Sequence, residues 1–256
     1  MTGPKVTGPQ MTGPALGLGL VGCGAFGAYV LGAVADLPGL RIAAVADLDP
    51  SRAEPLGTRH GAAVCDGLGS LLATEGVDVV ALATPPGSHA PMAVTALRAG
   101  KHVFCEKPLA TTTEDAARVR DEADRSPGTL VVDHVLRYNP LLRAVQRLIA
   151  EDLLAPVRRF LFENDAADED LGPGHWFWDP AHSGGIFIEH GVHFFDAARV
   201  LLGSEPESVR ATAVRRPLGP VDMVIADVVH PGGALATHLH SFTHAHRCER
   251  QLMRLD

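Results

Sequence analysis

Residues 17–27, GLGLVGCGAFG, constrain the fold of this chain more than any other stretch. An apolar run from Gly17 to Val21 stops at Gly22-x-Gly24-x-x-Gly27, and a helical pattern carried by Ala25, Tyr29, Leu31, Val34 and Ala35 comes directly after it. The order is strand, tight turn, helix. In such a motif the first glycine permits the turn, the second lets backbone N–H groups approach a pyrophosphate, and the third lets the helix pack on the strand. The anion then rests on the first helical turn, at Ala25 and Phe26, where free N–H groups and the helix dipole favour negative charge.

With 27 glycines in the chain, the motif takes its meaning from the strand downstream of it. That strand-like run, Arg41 to Asp47, ends on a carboxylate 20 positions after Gly27. An acid at that place accepts hydrogen bonds from the 2′-hydroxyl of an adenosine ribose, so the pair reads as a dinucleotide site preferring NAD over NADP. Asp49 is the second candidate for this role. The competing reading of Asp47 is a cap on the helix that starts near Pro50.

Bulk properties exclude several classes. At 256 residues and 46% hydrophobic composition, the chain can bury one large core or two small ones. No apolar run approaches the roughly 20 residues that span a bilayer, and residues 1–16 lack a secretory signal pattern, so a cytoplasmic protein without a membrane partner is expected. A net charge of −8 with no cluster of Lys and Arg argues against nucleic acid as a partner. The four cysteines form no C-x-x-C and read as reduced thiols; Cys23 lies inside the glycine turn, where alkylation would block a bound cofactor. Nine of the 13 histidines lie at or after His175, yet no firm set of three or four converging zinc ligands emerges among them, and no metal is expected. His238 and His240 alternate on a strand and point the same way, which suggests a substrate-facing strand.

Residues 1–14 repeat Thr-Gly-Pro three times and read as a disordered leader. From 15 to 136 strands near 17–22, 41–47, 62–64, 77–83, 101–105 and 129–133 alternate with helices, the grammar of an α/β domain with a doubly wound parallel sheet. The intervening helices are expected at 25–37, from 51, at 67–75, 89–99 and 113–125. From 137 to 256 the order changes to helix 140–151, strand 156–164, helix 185–202 and three strand-like runs near 206–215, 221–230 and 233–243. That predicts an α+β second domain with a largely antiparallel open sheet, incomplete at Asp256 and left with an unpaired edge.

Four segments taken in order, GCGAFG, Ala83-Thr-Pro-Pro with His89, AGKHVFCEKP ending at Pro108, and GGIFIEHGVH ending at His193, resemble the Gfo/Idh/MocA oxidoreductases. The resemblance runs from about Leu16 to about Asp256. It implies an N-terminal Rossmann domain that binds NAD, with NADP the lesser candidate, and a C-terminal domain that presents a sugar, cyclitol or related polyol. The implied reaction moves a hydride between nicotinamide and a secondary alcohol or ketone. An NAD-retaining glycosidase of the same fold, or a non-catalytic NAD-binding protein, is the alternative. The resemblance also implies a homo-oligomer joined through the C-terminal sheet where that sheet is complete.

By the same resemblance Lys107 holds the reacting oxygen, a task suited to a positively charged side chain with three N–H donors. His193 is the implied general acid and base. Glu189, four residues upstream where the family usually has Asp, shares a helical face with it and supports the imidazole. Thr84, Pro85, His89 and Glu106 fall to the nicotinamide end of the cofactor; for His89 a surface position at a helix start is the equal alternative. Arg137 and Tyr138 contact the substrate, or Arg137 braces the domains. Trp176 or Trp178 offers a stacking platform for a sugar with Asp179 as hydroxyl acceptor, unless these aromatics pack over the sheet. His190 reaches the substrate or is structural, and Asp196 is a supporting or capping partner.

Overall fold

The computed structural model describes residues 13–154, 156–217 and 219–256, so residues 1–12 of the expected leader lie outside the described residues. Two compact units meet in sequence between Asp133 and His134.

The first unit alternates β1 (Leu16–Val21), α1 (Ala25–Val34), β2 (Leu40–Ala46), α2 (Pro50–His60), β3 (Ala63–Cys65), α3 (Leu68–Ala73), β4 (Val79–Leu82), α4 (His89–Arg98), β5 (His102–Cys105), α5 (Thr113–Ala123) and β6 (Leu130–Val132). The six strands are parallel in the order β3-β2-β1-β4-β5-β6, that of a doubly wound dinucleotide-binding sheet. β1 and β4 are buried along nearly their whole length, as central strands covered by helices on both faces must be. Local chemistry sets the ends of the helices. α2 starts at Asp49, whose side chain accepts the Ser51 N–H, has Pro50 in its first turn, and stops at Gly61 with φ 62°. α1 ends three residues before the expected Leu37, because Pro38 has no N–H to continue the ladder at the Val34 carbonyl, which accepts from Leu37 instead at 3.0 Å.

The second unit holds α6 (Pro140–Ala150), β7 (Arg159–Ala167), α7 (Pro180–Ser183), α8 (Val192–Leu202), β8 (Ser208–Arg215), β9 (Val221–His230), β10 (Ala234–His244) and β11 (Arg250–Leu255). Its sheet runs β11-β7-β10-β9-β8, antiparallel except for the β10–β7 pair. The inner face, with Phe160, Phe162, Ala226, Val228 and Ala236, packs under Phe194, Ala197 and Leu201 of α8. Three features differ from the sequence reading. The four-residue α7 is too short to carry a periodic signal. β11 is absent from that reading, since its residues are mostly exposed and charge interrupts the apolar alternation. The helix expected over 185–202 opens with one π-helical turn, Phe187–Gly191, before α8 begins.

Candidate cofactor and catalytic residues

In the first unit the chain order reverses between β1 and β4, and the loops at their C-terminal ends carry the glycine motif and Thr84. Gly22 has φ +96°, and a Cβ there would lie 2.5 Å from the Ala83 carbonyl oxygen. A Cβ on Gly27 would lie 1.9 Å from the carbonyl oxygen of Gly22, so helix and turn touch through that missing side chain. A Cβ on Gly24 would meet nothing within 4 Å. Gly24 is the N-cap of α1 and no side chain caps that helix, which leaves an open cradle at a helix N-terminus beside Ala25 and the exposed Phe26.

Asp47 is tied to this turn. One carboxylate oxygen accepts the Cys23 N–H at 2.7 Å and the other accepts the Asp49 N–H at 2.9 Å. Capping of α2 falls to Asp49, which accepts the Ser51 N–H at 3.0 Å, so the capping alternative for Asp47 is removed. Cys23 is 5% exposed, and burial with the nearby Asp47 charge pushes its thiol up to about 11. It is a buried thiol held in its neutral form, in keeping with its reading as a reduced thiol.

The loops after β4 and β5 are joined through His89, which corrects both readings of that residue. It is 1% exposed; Nδ1 lies 2.7 Å from the Pro108 carbonyl oxygen and Nε2 lies 2.7 Å from that of Thr84. Its ring is occupied by the protein backbone, and burial pulls its pKa below the ordinary value against the carbonyls of Pro108, Thr84 and Glu106. Thr84 Oγ1 shares a hydrogen bond with Ser88 Oγ at 2.7 Å, and Pro85 is exposed. Lys107, half-buried, is the second residue after β5. Glu106 beside it is 8% exposed, and its Oε1 is buried with no N–H or hydroxyl donor among the described residues. Burial, a hydrogen bond with Asp133 and the Asp133 charge push its carboxyl up to about 8. The open cradle at Gly24 and this donor-poor oxygen fit a dinucleotide laid across the C-terminal edge of the sheet.

In the second unit His190 and Glu189 lie on the π turn, and His193 is the second residue of α8. The π turn winds less per residue than an α-helix, and four residues along it still make close to one full turn, so Glu189 and His193 stay on one face. The His193 ring stands edge-on to His134, centroids 6.5 Å apart. His134 Nδ1 lies 3.9 Å from Asp196, which is 5% exposed. Arg137, whose side chain stays half exposed, grips that carboxylate with two hydrogen bonds of 2.7 and 2.6 Å and so braces α8 within its own unit. Burial raises the Asp196 pKa, but the Arg137 hydrogen bonds and the charges of His134, Arg137 and Arg199 outweigh it and hold the carboxyl below its ordinary value.

Tyr138 is 61% exposed, lies 5.2 Å under the Arg143 guanidinium, and lines a groove of about 750 Å³ walled by α6 and α8. The aromatic run packs over the sheet. Phe177 lies on Phe242 of β10 with centroids 4.8 Å apart, and Trp178 Nε1 donates to the Leu171 carbonyl at 2.8 Å. Trp176 is half-buried between His175 and Phe177, and Asp179 caps α7 through the Ala181 N–H. The His190 ring packs on His240, Phe242 and Phe194. His238 and His240 do point the same way, but inward, and both are 0% exposed; the substrate-facing strand is corrected to a core strand. Among the described residues no three His, Cys, Asp or Glu side chains converge as a metal site, and no helix is long and apolar enough to cross a membrane. Sequence reasoning misses Asp133. Its only signal is a place one residue past β6, level with Glu106 past β5.

A family profile described as the oxidoreductase family with an NAD-binding Rossmann fold matches residues 16–134, and the GFO/IDH/MocA C-terminal domain matches residues 142–254. The chain belongs to the Gfo/Idh/MocA oxidoreductase family. It is 36% identical over 176 residues to an inositol 2-dehydrogenase from Rubrobacter xylanophilus, covering 68% of this chain and 48% of the relative. An inositol 2-dehydrogenase from Rhizobium meliloti is 33% identical over 181 residues, 71% of this chain and 53% of the relative. The chain thus spans about half the length of these relatives. Among solved structures, an NAD-binding protein from Listeria innocua superposes with a TM-score of 0.81 at 27% identity, covering 93% of this chain and 70% of that one.

Proposed function

We propose that this chain is an NAD-dependent oxidoreductase that acts on a secondary alcohol or ketone of a sugar, cyclitol or related polyol. The observation that carries the reading is the open cradle at Gly24, on a turn whose Cys23 N–H is bonded to Asp47. NAD, when bound, supplies the hydride acceptor. Gly24 and the first turn of α1 hold its pyrophosphate, Asp47 takes the adenosine ribose hydroxyls, and Thr84, Pro85 and Glu106 line its nicotinamide end. Lys107 donates to the substrate oxygen and stabilises negative charge developing there. His193 takes the hydroxyl proton on a ring nitrogen, with Glu189 supporting the imidazolium. The inositol 2-dehydrogenases among the relatives support a polyol substrate. The outward face of the five-stranded sheet, where Ile225, Val229, Leu235 and Leu252 are exposed, supports association of copies through that sheet.

The test is calorimetric binding of NAD and NADP, then the appearance of NADH absorbance with a panel of polyols. Tighter binding of NAD than NADP is expected, with turnover that falls by about 10²–10⁴-fold in His193→Ala and in Lys107→Ala. A folded chain that binds neither nucleotide refutes the reading.

A further inference from the structure

Two carboxyl groups meet at the C-terminal edge of the first unit's sheet. β5 and β6 pair in register through Phe104 with Val131 and Cys105 with Val132, and the ladder continues through the Asp133 N–H to the Cys105 carbonyl at 2.8 Å. Glu106 and Asp133 therefore occupy the next register position on neighbouring strands, where side chains lie on the same face at the strand spacing of about 5 Å. Glu106 is 8% exposed, and its Oε1 is buried without an N–H or hydroxyl donor among the described residues. An oxygen so placed beside a second carboxyl is satisfied when one proton is held between the two groups.

We propose that Glu106 and Asp133 share one proton and serve the cofactor site as a proton-holding pair. The pair releases this proton when the positively charged nicotinamide of NAD binds and takes one up when the ring becomes the neutral NADH. The inference rests on the oxidoreductase reading above. Asp133 is a positioning residue in this scheme, acting through Glu106.

The proton balance closes. Oxidation of the alcohol breaks its C–H bond, with hydride passing to nicotinamide, and its O–H bond, whose proton leaves the substrate through the base. With the ring charge cancelled, one proton returns to the carboxyl pair, so reduction of the cofactor is coupled to uptake at Glu106 and Asp133. The other groups facing Glu106 do not compete for it. Burial and the Glu106 charge push the Cys105 thiol up to about 12, so it stays protonated. The Lys107 charge favours the ionised carboxyl, but burial and Asp133 outweigh it and place Glu106 at about 8. The carbonyls of Thr84 and Pro108 face both nitrogens of the His89 ring and favour its protonation, but burial outweighs them and holds its pKa below the ordinary value.

The first arm of the test needs no nucleotide. A carbon-detected NMR titration of side-chain carboxyls in the whole chain is expected to show Glu106 titrating well above the ordinary glutamate range, with a downward shift of at least about one pH unit in Asp133→Asn. An ordinary midpoint in the wild-type chain overturns the shared proton. In the second arm, NAD and NADH binding are measured calorimetrically near neutral pH in buffers of low and high ionisation enthalpy. NAD is expected to release roughly half a proton and NADH at least about fivefold less, with the difference lost in Asp133→Asn. Equal proton counts for the two nucleotides, with binding intact, overturn the coupling and leave the oxidoreductase reading standing. Failure to bind either nucleotide overturns that reading and the coupling together, while the carboxyl titration still decides the shared proton.

Discussion

Mild acid is expected to unfold the second unit, and His238 and His240 are the reason. Both are 0% exposed, and none of their four ring nitrogens has a hydrogen-bond partner among the described residues. The His238 ring stacks on Phe195 at 4.0 Å, and the His240 ring sits among Phe162, Phe187, Phe194 and His190. Burial pushes His238 down to about 4 and His240 down to about 3, from an ordinary value of 6.5. A histidine held neutral in the folded state binds its proton only on unfolding. Stability is therefore complete above pH 6.5 and is lost progressively as the pH falls toward about 4, where the first of the folded-state groups begins to titrate. Each imidazole costs about 1.4 kcal/mol per pH unit in that window, so two of them cost on the order of 5 kcal/mol at about pH 4.5. That is comparable with the whole stability of a small domain.

Urea denaturation tracked by tryptophan fluorescence isolates the effect, because both tryptophans, Trp176 and Trp178, lie in the second unit. The double variant His238→Leu and His240→Leu removes the unpartnered nitrogens at a gain of about 1–3 kcal/mol each and gives up about 0.5–1.5 kcal/mol of ring stacking each. It is expected to be as stable as wild type or more so at neutral pH, with the steep loss below pH 6.5 gone. Wild-type stability that stays flat between about pH 7.5 and 5, or an equal slope in the double variant, would refute the argument.

Two further substitutions test the sites separately. Gly24→Ala meets nothing within 4 Å and should cost thermal stability only the small preference for glycine at an N-cap while weakening NAD binding at least about tenfold, whereas Gly27→Ala, with its Cβ 1.9 Å from the Gly22 carbonyl, should lower both clearly in calorimetry. Arg137→Met leaves the buried Asp196 carboxylate without its two hydrogen bonds; a loss of about 1–3 kcal/mol is expected in urea denaturation, largely recovered when Asp196→Asn is added.

Features that depend on near neighbours are legible in the sequence alone. The run from Gly17 to Gly27 dictates strand, turn and helix because backbone freedom and apolar periodicity act over a few residues, and the alternation through residue 133 dictates a doubly wound sheet. Lys107 and His193 stand out through the motifs around them. Tertiary packing settles what each side chain faces. Periodicity places His238 and His240 on one side of a strand, but only the helix laid over that side makes it the core. Arg137 and Asp196 are 59 positions apart, and no local rule pairs them. Glu106 and Asp133 meet because parallel strands set their register through a crossover helix, a relation that sequence spacing does not encode. Burial and partner choice are properties of the packed chain, and they turn His89 from a ligand candidate into a tie between two loops.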